Sequence, residues 1–369
     1  MKTNIIFFLA RFGLGGAGNS VFRLSKSLNK KKFKINIICL NYCAYETEFK
    51  KLGIKVYKIK VSKLIFTLFK LKKIISKINK KYKKNIFISN INYTNIFCSL
   101  LFWNNTQIKL IGIERTPLKE LEIYFGFKDF IKKTILKILL KFSYKRFDKI
   151  ICNSRYICKQ LKDKYGYDSI SINPPSIADD KKLNFKIKRL KENILNICTA
   201  CRLSKEKNLE ELIYAINKLK NEKIILNIIG DGPEKNKLQN LVLRLNIKDK
   251  VKFLGYSNKI DTILKQSHLY INTSYFEGFP NSVVEAAHLG IPLICSQSHG
   301  GINEILSKGK FGTIYLNGYE ELAKEIKKYI SNPKNLIKKA QKGKKNVLKY
   351  NLTNHLNDFN IILKNIYNL

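Results

Sequence analysis

Residues 275–290 read YFEGFPNSVVEAAHLG. Glu277 sits in a turn containing glycine and proline. Glu285 follows eight residues later, on a helix that the pattern starts near Asn281 and stops at Gly290 and Pro292. Apolar runs at 269–272 and 292–295 bracket the stretch, which makes it one strand–turn–helix–strand unit of the kind that builds a parallel sheet. With Asn281 as the N-cap, the amides of Ser282, Val283 and Val284 have no partner inside the helix and offer themselves to an anion such as a phosphate. A carboxylate repels that anion but accepts well from vicinal hydroxyls, so Glu285 suits a ribose diol and Glu277 a second polyol. A helix with a solvated glutamate on its outer face has the same spelling.

The alternation continues on both sides of this unit. Toward the N-terminus, strands read over 194–199, 224–229 and 252–254 alternate with helices, the first from Leu209 and another over 260–266. A Gly230-Asp231-Gly232-Pro233 turn follows the second strand, and Gly300-Gly301 follows the strand at 292–295. Residues 178–193 are polar and lysine-rich, a linker by composition. Before them a second series of strands reads over 4–10, 35–40, 55–59, 85–89, 110–113 and 149–153. The first of these runs into a loop with Gly13, Gly15, Gly16 and Gly18, then into helical spacing at Val21, Leu24 and Leu28. Gly13, Gly15 and Gly18 are spaced as in dinucleotide sites, but the next strand ends in Asn41-Tyr42-Cys43 and lacks the carboxylate that reads a ribose. Glu114 and Arg115 end the strand at 110–113, where wound sheets hold their ligands.

A chain of 369 residues with 45% hydrophobic content supports two cores. Its net charge of +43 raises nucleic acid or an anionic membrane as a partner, or a plain compositional bias toward lysine. The charge is lopsided: residues 1–170 hold 37 Lys and Arg against 9 Asp and Glu, with no acid between Phe49 and Ile113. Two basic segments, 62–82 and 128–147, carry more apolar residues than a sheet needs covered, which suggests helices on an anionic bilayer; the alternative is two ordinary covering helices. The eight cysteines read as buried thiols, and Cys198-x-x-Cys201 lacks the second pair that a zinc site requires. The apolar run near the N-terminus is too short for a signal peptide and no run is long enough to span a membrane, so the expected location is cytoplasmic.

Arg202 and Lys207, just past the strand at 194–199, complete the pattern: two cations at a strand's carboxyl end can neutralise a diphosphate. The Gly15-Gly16 loop, Arg202 with Lys207, residues 228–233, residues 253–255, Glu277-x7-Glu285 and residues 300–305 together resemble a family 4 glycosyltransferase of GT-B fold over essentially the whole length. The resemblance implies an α/β protein of two Rossmann-like, doubly wound domains facing each other across a cleft. Its parts would be an acceptor-binding domain (1–176), a linker (177–193), a nucleotide-sugar domain (194–349) and a C-terminal helix (350–369) packing back on the first domain, with the helices after Pro333 having no strand of their own to cover. It implies retaining, metal-independent transfer of a hexose or N-acetylhexosamine, UDP-linked for preference, to a glycan or polyprenyl-diphosphate-linked acceptor in O-antigen or other surface polysaccharide assembly. The enzyme would be peripheral on the inner face of the membrane and would bind no nucleic acid.

Carried over by residue, Arg202 and Lys207 would hold the diphosphate, Glu285 the ribose, and Glu277 with Gly278, Phe279, Pro280, Asn281, Ser282 and Val283 the donor sugar and phosphate. Tyr256 would lie near the base, and Gly15 and Gly16 near the phosphates. No Asp-x-Asp occurs in the chain. Several relatives use a first-domain histidine near the anomeric carbon, whereas all four histidines here (268, 288, 299 and 355) fall in the second half, which leaves Glu114 or Arg115 as substitutes. Two other readings remain open at this point, a basic nucleic-acid binder and a sugar-nucleotide epimerase on the same plan.

Overall fold

The apolar runs of the first half pair side by side because neither face of such a strand tolerates water. In the computed structural model, which describes residues 2–60, 67–177, 194–257, 260–316 and 318–367, the chain divides into two units, Met1–Pro175 with Leu352–Leu369, and Ser176–Asn351.

The first unit is built on β1 (Thr3–Leu9), β2 (Phe33–Leu40), β3 (Lys55–Ile59), β4 (Asn85–Asn90), β5 (Ile108–Glu114), β6 (Lys149–Cys152) and β7 (Ile170–Ser171). Every pairing is parallel and the strand order is β3-β2-β1-β4-β5-β6-β7. Its connections carry α1 (Gly16–Ser27), α2 (Glu46–Lys51), α3 (Thr67–Asn79), α4 (Asn92–Leu101), α5 (Phe127–Ser143) and α6 (Arg155–Tyr165). Helices on both faces explain why all of β1 and β4 is buried and why both read as continuous apolar runs and not as alternation. Between β1 and α1 the glycine loop folds on itself: a Cβ on Gly18 would lie 1.9 Å from the Gly13 carbonyl oxygen, while Gly13 and Gly15 face open space.

The second unit repeats the plan with β8 (Leu195–Ala200), β9 (Ile224–Ile229), β10 (Val251–Gly255), β11 (Leu269–Asn272), β12 (Phe276–Glu277), β13 (Leu293–Ser296), β14 (His299–Gly300) and β15 (Thr313–Tyr315). The main sheet runs β10-β9-β8-β11-β13-β15, and β12 pairs with β14 as a separate short ladder. Its helices are α7 (Leu209–Lys218), α8 (Lys235–Arg244), α9 (Ile260–Lys265), α10 (Asn281–His288), α11 (Ile302–Ile305), α12 (Tyr319–Ser331) and α13 (Lys334–Asn346). The last helix, α14 (Leu352–Tyr367), belongs to the first unit.

Phe359, Ile362 and Leu363 of α14 enter the core beneath β1 and β2, and the Tyr367 hydroxyl bonds both backbone groups of Asn85 at the start of β4 (2.9 and 3.0 Å). Each buried side chain of that size contributes about 2 kcal/mol, so the three fix the helix without help from its polar face. The other helix after Pro333 does not follow it. Leu336 and Ala340 of α13 are buried and α13 packs on α10, which keeps it in the second unit. The domain boundary accordingly falls between Asn351 and Leu352. Of the linker read over 177–193, all but Ile177 lies outside the described residues, as do residues 62–66 of the helix read over 62–82.

The two basic helices part company here. Leu71, Ile75 and Ile78 of α3 are buried against the sheet, so this helix spends its apolar face on the core, and the reading of 62–82 as a lipid-facing helix is corrected for the described part.

Candidate active site

Strand β8 ends at Ala200, and the chain turns out through Cys201-Arg202-Leu203 because Leu203 is anchored. Its side chain is fully buried, its amide donates to the Asp231 carbonyl (3.0 Å), and its own carbonyl accepts from the Glu234 amide (3.0 Å). The Gly-Asp-Gly-Pro turn lies flush against this loop. A Cβ on Gly230, whose φ is +129°, would meet the Cys201 carbonyl oxygen at 1.9 Å, and one on Gly232 would meet that of Leu203 at 2.3 Å. The turn therefore holds the loop and leaves Arg202 exposed, its guanidinium with no hydrogen-bond partner among the described residues.

Lys207 ends a 3-10 turn, Lys205–Lys207, and is followed by Asn208 in the left-handed region (φ 49°). Backbone stitching ties this turn to the end of β11: Thr273 Oγ1 donates to the Lys207 carbonyl (2.8 Å) and the Tyr275 amide to that of Glu206 (3.0 Å). The result brings Lys207 Nζ to 2.8 Å from Glu277 Oε1. Ser274 Oγ (2.8 Å) and Asn272 Nδ2 (3.3 Å) donate to the same oxygen. Three donors thus saturate Oε1, and among the described residues none reaches Oε2. Burial works against the Lys207 ammonium, but the Glu277 charge outweighs it and holds the pKa above the ordinary lysine value. The site keeps one fixed cation beside a carboxylate that has one oxygen to offer.

Glu277 is presented by β12, whose pairing with β14 requires small residues opposite. A Cβ on Gly301 would lie 2.8 Å from the Gly278 carbonyl oxygen, and the Gly301 amide donates to the Glu277 carbonyl (3.2 Å). Helix α10 follows, and here the sequence reading is corrected. The N-cap is Pro280, not Asn281, and its carbonyl accepts from the amides of Val283 (3.2 Å) and Val284 (3.3 Å). Proline supplies the extended backbone that an N-cap needs and loses nothing by lacking an amide. Asn281 Oδ1 instead accepts from Ser176 Oγ (2.9 Å). The amides left for an anion are those of Asn281 and Ser282, a set that starts one residue earlier than expected. Ser282 Oγ also accepts from the buried Tyr270 hydroxyl (2.8 Å), whose oxygen in turn accepts from the Ala200 amide (3.3 Å) and so ties the helix start to the end of β8. Glu285 lies on the same helix, half-buried, and Gly290 closes it in the left-handed region (φ 77°).

Two family models match the chain, Glycosyltransferase Family 4 over residues 14–181 and Glycosyl transferases group 1 over residues 180–347. The chain belongs to the family 4 glycosyltransferases. An uncharacterized glycosyltransferase of Methanocaldococcus jannaschii is 28% identical over 253 residues, 63% of this chain and 60% of that protein. The N-acetylgalactosamine-N,N'-diacetylbacillosaminyl-diphospho-undecaprenol 4-alpha-N-acetylgalactosaminyltransferase of Campylobacter jejuni is 26% identical over 349 residues, 91% of this chain and 92% of that protein. Among solved structures, Anabaena HepE in complex with UDP and glucose superposes with a TM-score of 0.79 over 98% of this chain and 99% of its own, at 17% identity. At that identity the likeness is one of fold, and the fold is GT-B.

In this glycosyltransferase, Lys207 and Glu277 are in direct contact, Arg202 stands at the adjacent strand end, and Glu285 begins the second turn of α10. Gly278 and Phe279 form the turn before Pro280, and Tyr256 follows β10 with its ring exposed. Gly15 and Gly16 start α1 in the other unit, exposed and free of side-chain caps. Glu114 does not face the strand-end opening. It is fully buried, accepts from the Tyr144 hydroxyl, and burial pushes its pKa up to about 8, a neutral acid inside the first unit. Arg115, half-buried, donates from Nε and Nη2 to Asn90 Oδ1 (3.2 and 3.0 Å). Nor does the first unit lack a histidine: α14 brings in His355, whose Nδ1 donates to the Asn173 carbonyl (2.8 Å). Burial lowers the pKa of His355 to about 4, and Arg115 adds to the effect, so the ring is neutral.

Sequence reasoning missed Asn272 and Ser274, which polarise and orient Glu277. The signal was present as an Asn-Thr-Ser run at the carboxyl end of β11, where polar residues in a buried strand's last position point at a site.

Proposed function

We propose that this glycosyltransferase moves a hexose or N-acetylhexosamine from a UDP-sugar to a hydroxyl of a lipid-linked glycan, with retention and without a metal, in surface polysaccharide assembly. The observation that carries the reading is the Lys207–Glu277 pair, one oxygen of the carboxylate saturated by three donors and the other left for sugar hydroxyls. The diphospho-undecaprenol acceptor in the name of the Campylobacter relative supports a lipid-linked acceptor, and the UDP in the Anabaena complex supports that nucleotide.

In the proposed reaction the bond between the anomeric carbon and the leaving phosphate oxygen breaks while the acceptor oxygen attacks on the same face. The acceptor's proton passes to the departing phosphate, which serves as the base. Arg202 and Lys207 take up the charge growing on the diphosphate, a task worth several kcal/mol when the donors are fixed in advance. The amides of Asn281 and Ser282 add to it, Glu285 holds the ribose hydroxyls, and Glu277 orients the sugar. Lys207, held in place by Glu277, and the exposed Arg202 supply the positive charge that a divalent ion would otherwise bring.

A stability screen of the purified protein against UDP-, GDP- and ADP-sugars identifies the donor, because a ligand at a hundred times its Kd stabilises by about 2.7 kcal/mol. Transfer to a synthetic polyprenyl-diphosphate saccharide, followed by NMR of the new linkage with and without EDTA, then tests stereochemistry and metal dependence. An inverted product, or activity abolished by EDTA, overturns those parts. An altered sugar nucleotide formed in the absence of acceptor identifies an epimerase instead.

A further inference from the structure

We propose that the outward face of α5 docks on an anionic lipid bilayer. The inward face of this helix is already satisfied: Leu140 and Ser143 are fully buried, and Leu136 and Leu139 pack partly into the cluster around Tyr144. Six further apolar side chains remain outside, Phe127, Phe130, Ile131, Ile135, Ile138 and Phe142, each between 44% and 76% exposed. At about 100° per residue, all but Phe130 fall within an arc of roughly 80°, and Phe130 lies about 60° outside it on the Lys137 and Lys141 side. A continuous apolar stripe of that width, running the length of a 17-residue helix, is not left over from folding the sheet.

The charges beside the stripe name its occupant. Lys128 and Lys132 line one shoulder, and Lys137 and Lys141 the other. The one acid on the helix, Asp129, sits on the inner side in an ion pair with the buried Lys133 (2.7 Å). At the N-terminal end the exposed rings of Tyr124, Phe127 and Phe130 cluster, with centroids 5.0 Å apart for Tyr124 and Phe130 and 6.4 Å for Phe127 and Phe130. Apolar side chains between two lysine rows, with an aromatic group at one end, match a helix lying in the plane of a membrane surface, its ammonium groups reaching to headgroup phosphates. A second copy of the chain fits poorly. A two-fold contact along this stripe would set both lysine rows against those of the partner, with no acid on the face to receive them. Nucleic acid would answer the lysines but leave the isoleucines and phenylalanines in water. Within the described residues of α3, by contrast, the exposed Phe69 stands without such a row.

The inference needs neither donor nor acceptor, so its test is separate from that of sugar transfer. The full-length protein is floated with vesicles of phosphatidylglycerol and phosphatidylethanolamine, or of phosphatidylcholine alone, at low and high salt. Binding is expected to the anionic vesicles only, and to weaken at least tenfold in high salt. Ile135→Asn with Ile138→Asn should lower the bound fraction at least tenfold, as should Gln at positions 128 and 141, with melting temperatures unchanged because these four side chains are exposed. Phe69→Ser, off the stripe, should bind as the wild type. Equal recovery with both vesicle types, undiminished binding of the isoleucine variant, or vesicle-independent self-association that this variant abolishes would each overturn the proposal.

Discussion

Replacing Glu114 by Gln is expected to flatten the pH dependence of stability while leaving sugar transfer near its original rate. The carboxyl is fully buried at the end of β5 and accepts from Tyr144, whose hydroxyl in turn accepts from Asn95 Nδ2 (3.3 Å). Burial raises its pKa from the ordinary 4.5 to about 8. Between those values the folded protein holds a proton that the unfolded chain has released, so stability is full below about pH 4.5 and declines as pH rises to about 8. The slope is about 1.4 kcal/mol per pH unit. Glutamine keeps an oxygen for Tyr144 and has nothing to titrate. Urea unfolding at pH 5.5, 6.5 and 7.5 should therefore show the variant gaining on the wild type by roughly 2–3 kcal/mol across the series. A gap that stays constant with pH refutes the assignment of Glu114 as a buried neutral acid. A hundredfold loss of turnover at unchanged stability would return this residue to the substrate.

The strand-end residues separate by what each one holds. Arg202→Ala should lower kcat about 100-fold with an unfolding midpoint close to the wild type, since its guanidinium is exposed and unpaired among the described residues. Lys207→Met should lower kcat similarly and also cost about 1–3 kcal/mol of stability, because Glu277 keeps only two neutral donors. Glu285→Ala should raise the KM for the donor several-fold with a smaller effect on kcat, measured by initial rates across donor concentration. Gly232→Ala places a Cβ 2.3 Å from the Leu203 carbonyl oxygen, so it should displace the Arg202 loop, destabilise by about 2 kcal/mol and weaken donor binding in the same preparation.

The alternation of apolar runs and helical spacing made both sheets legible, since strands covered on both faces announce themselves without regard to what lies beside them. Strands 55–59, 224–229 and 269–272 fall where their residues predict, and the losses are the shortest strands: β7, β12 and β14 have two residues each and β15 three, too few for any periodicity. The Asn281 cap failed for a local reason. Asparagine is the better cap in isolation, but Pro280 holds the extended backbone and its carbonyl accepts from the Val283 and Val284 amides, while Asn281 finds a partner in Ser176. Glu114 failed for a different one. Its position at a strand end was read correctly, but strands alternate, and the side chain points to the face that Tyr144 and Asn95 cover.

Lys207 and Glu277 are 70 residues apart, and nothing in their local sequence says that they meet. What brings them together is strand order: β8 and β11 are neighbours although two strands intervene in the chain, so the loops leaving their carboxyl ends emerge side by side. The same logic divides the basic helices. The segments 62–82 and 128–147 have like composition and like spacing, and differ in what the topology sets against them. Leu71, Ile75 and Ile78 meet the sheet, whereas Ile131, Ile135 and Ile138 stay roughly half exposed, outside the core that Leu140 and Tyr144 close beneath them. An apolar side chain earns its burial only from a partner, so where the fold supplies none and lysines line both sides, the partner has to come from outside the chain.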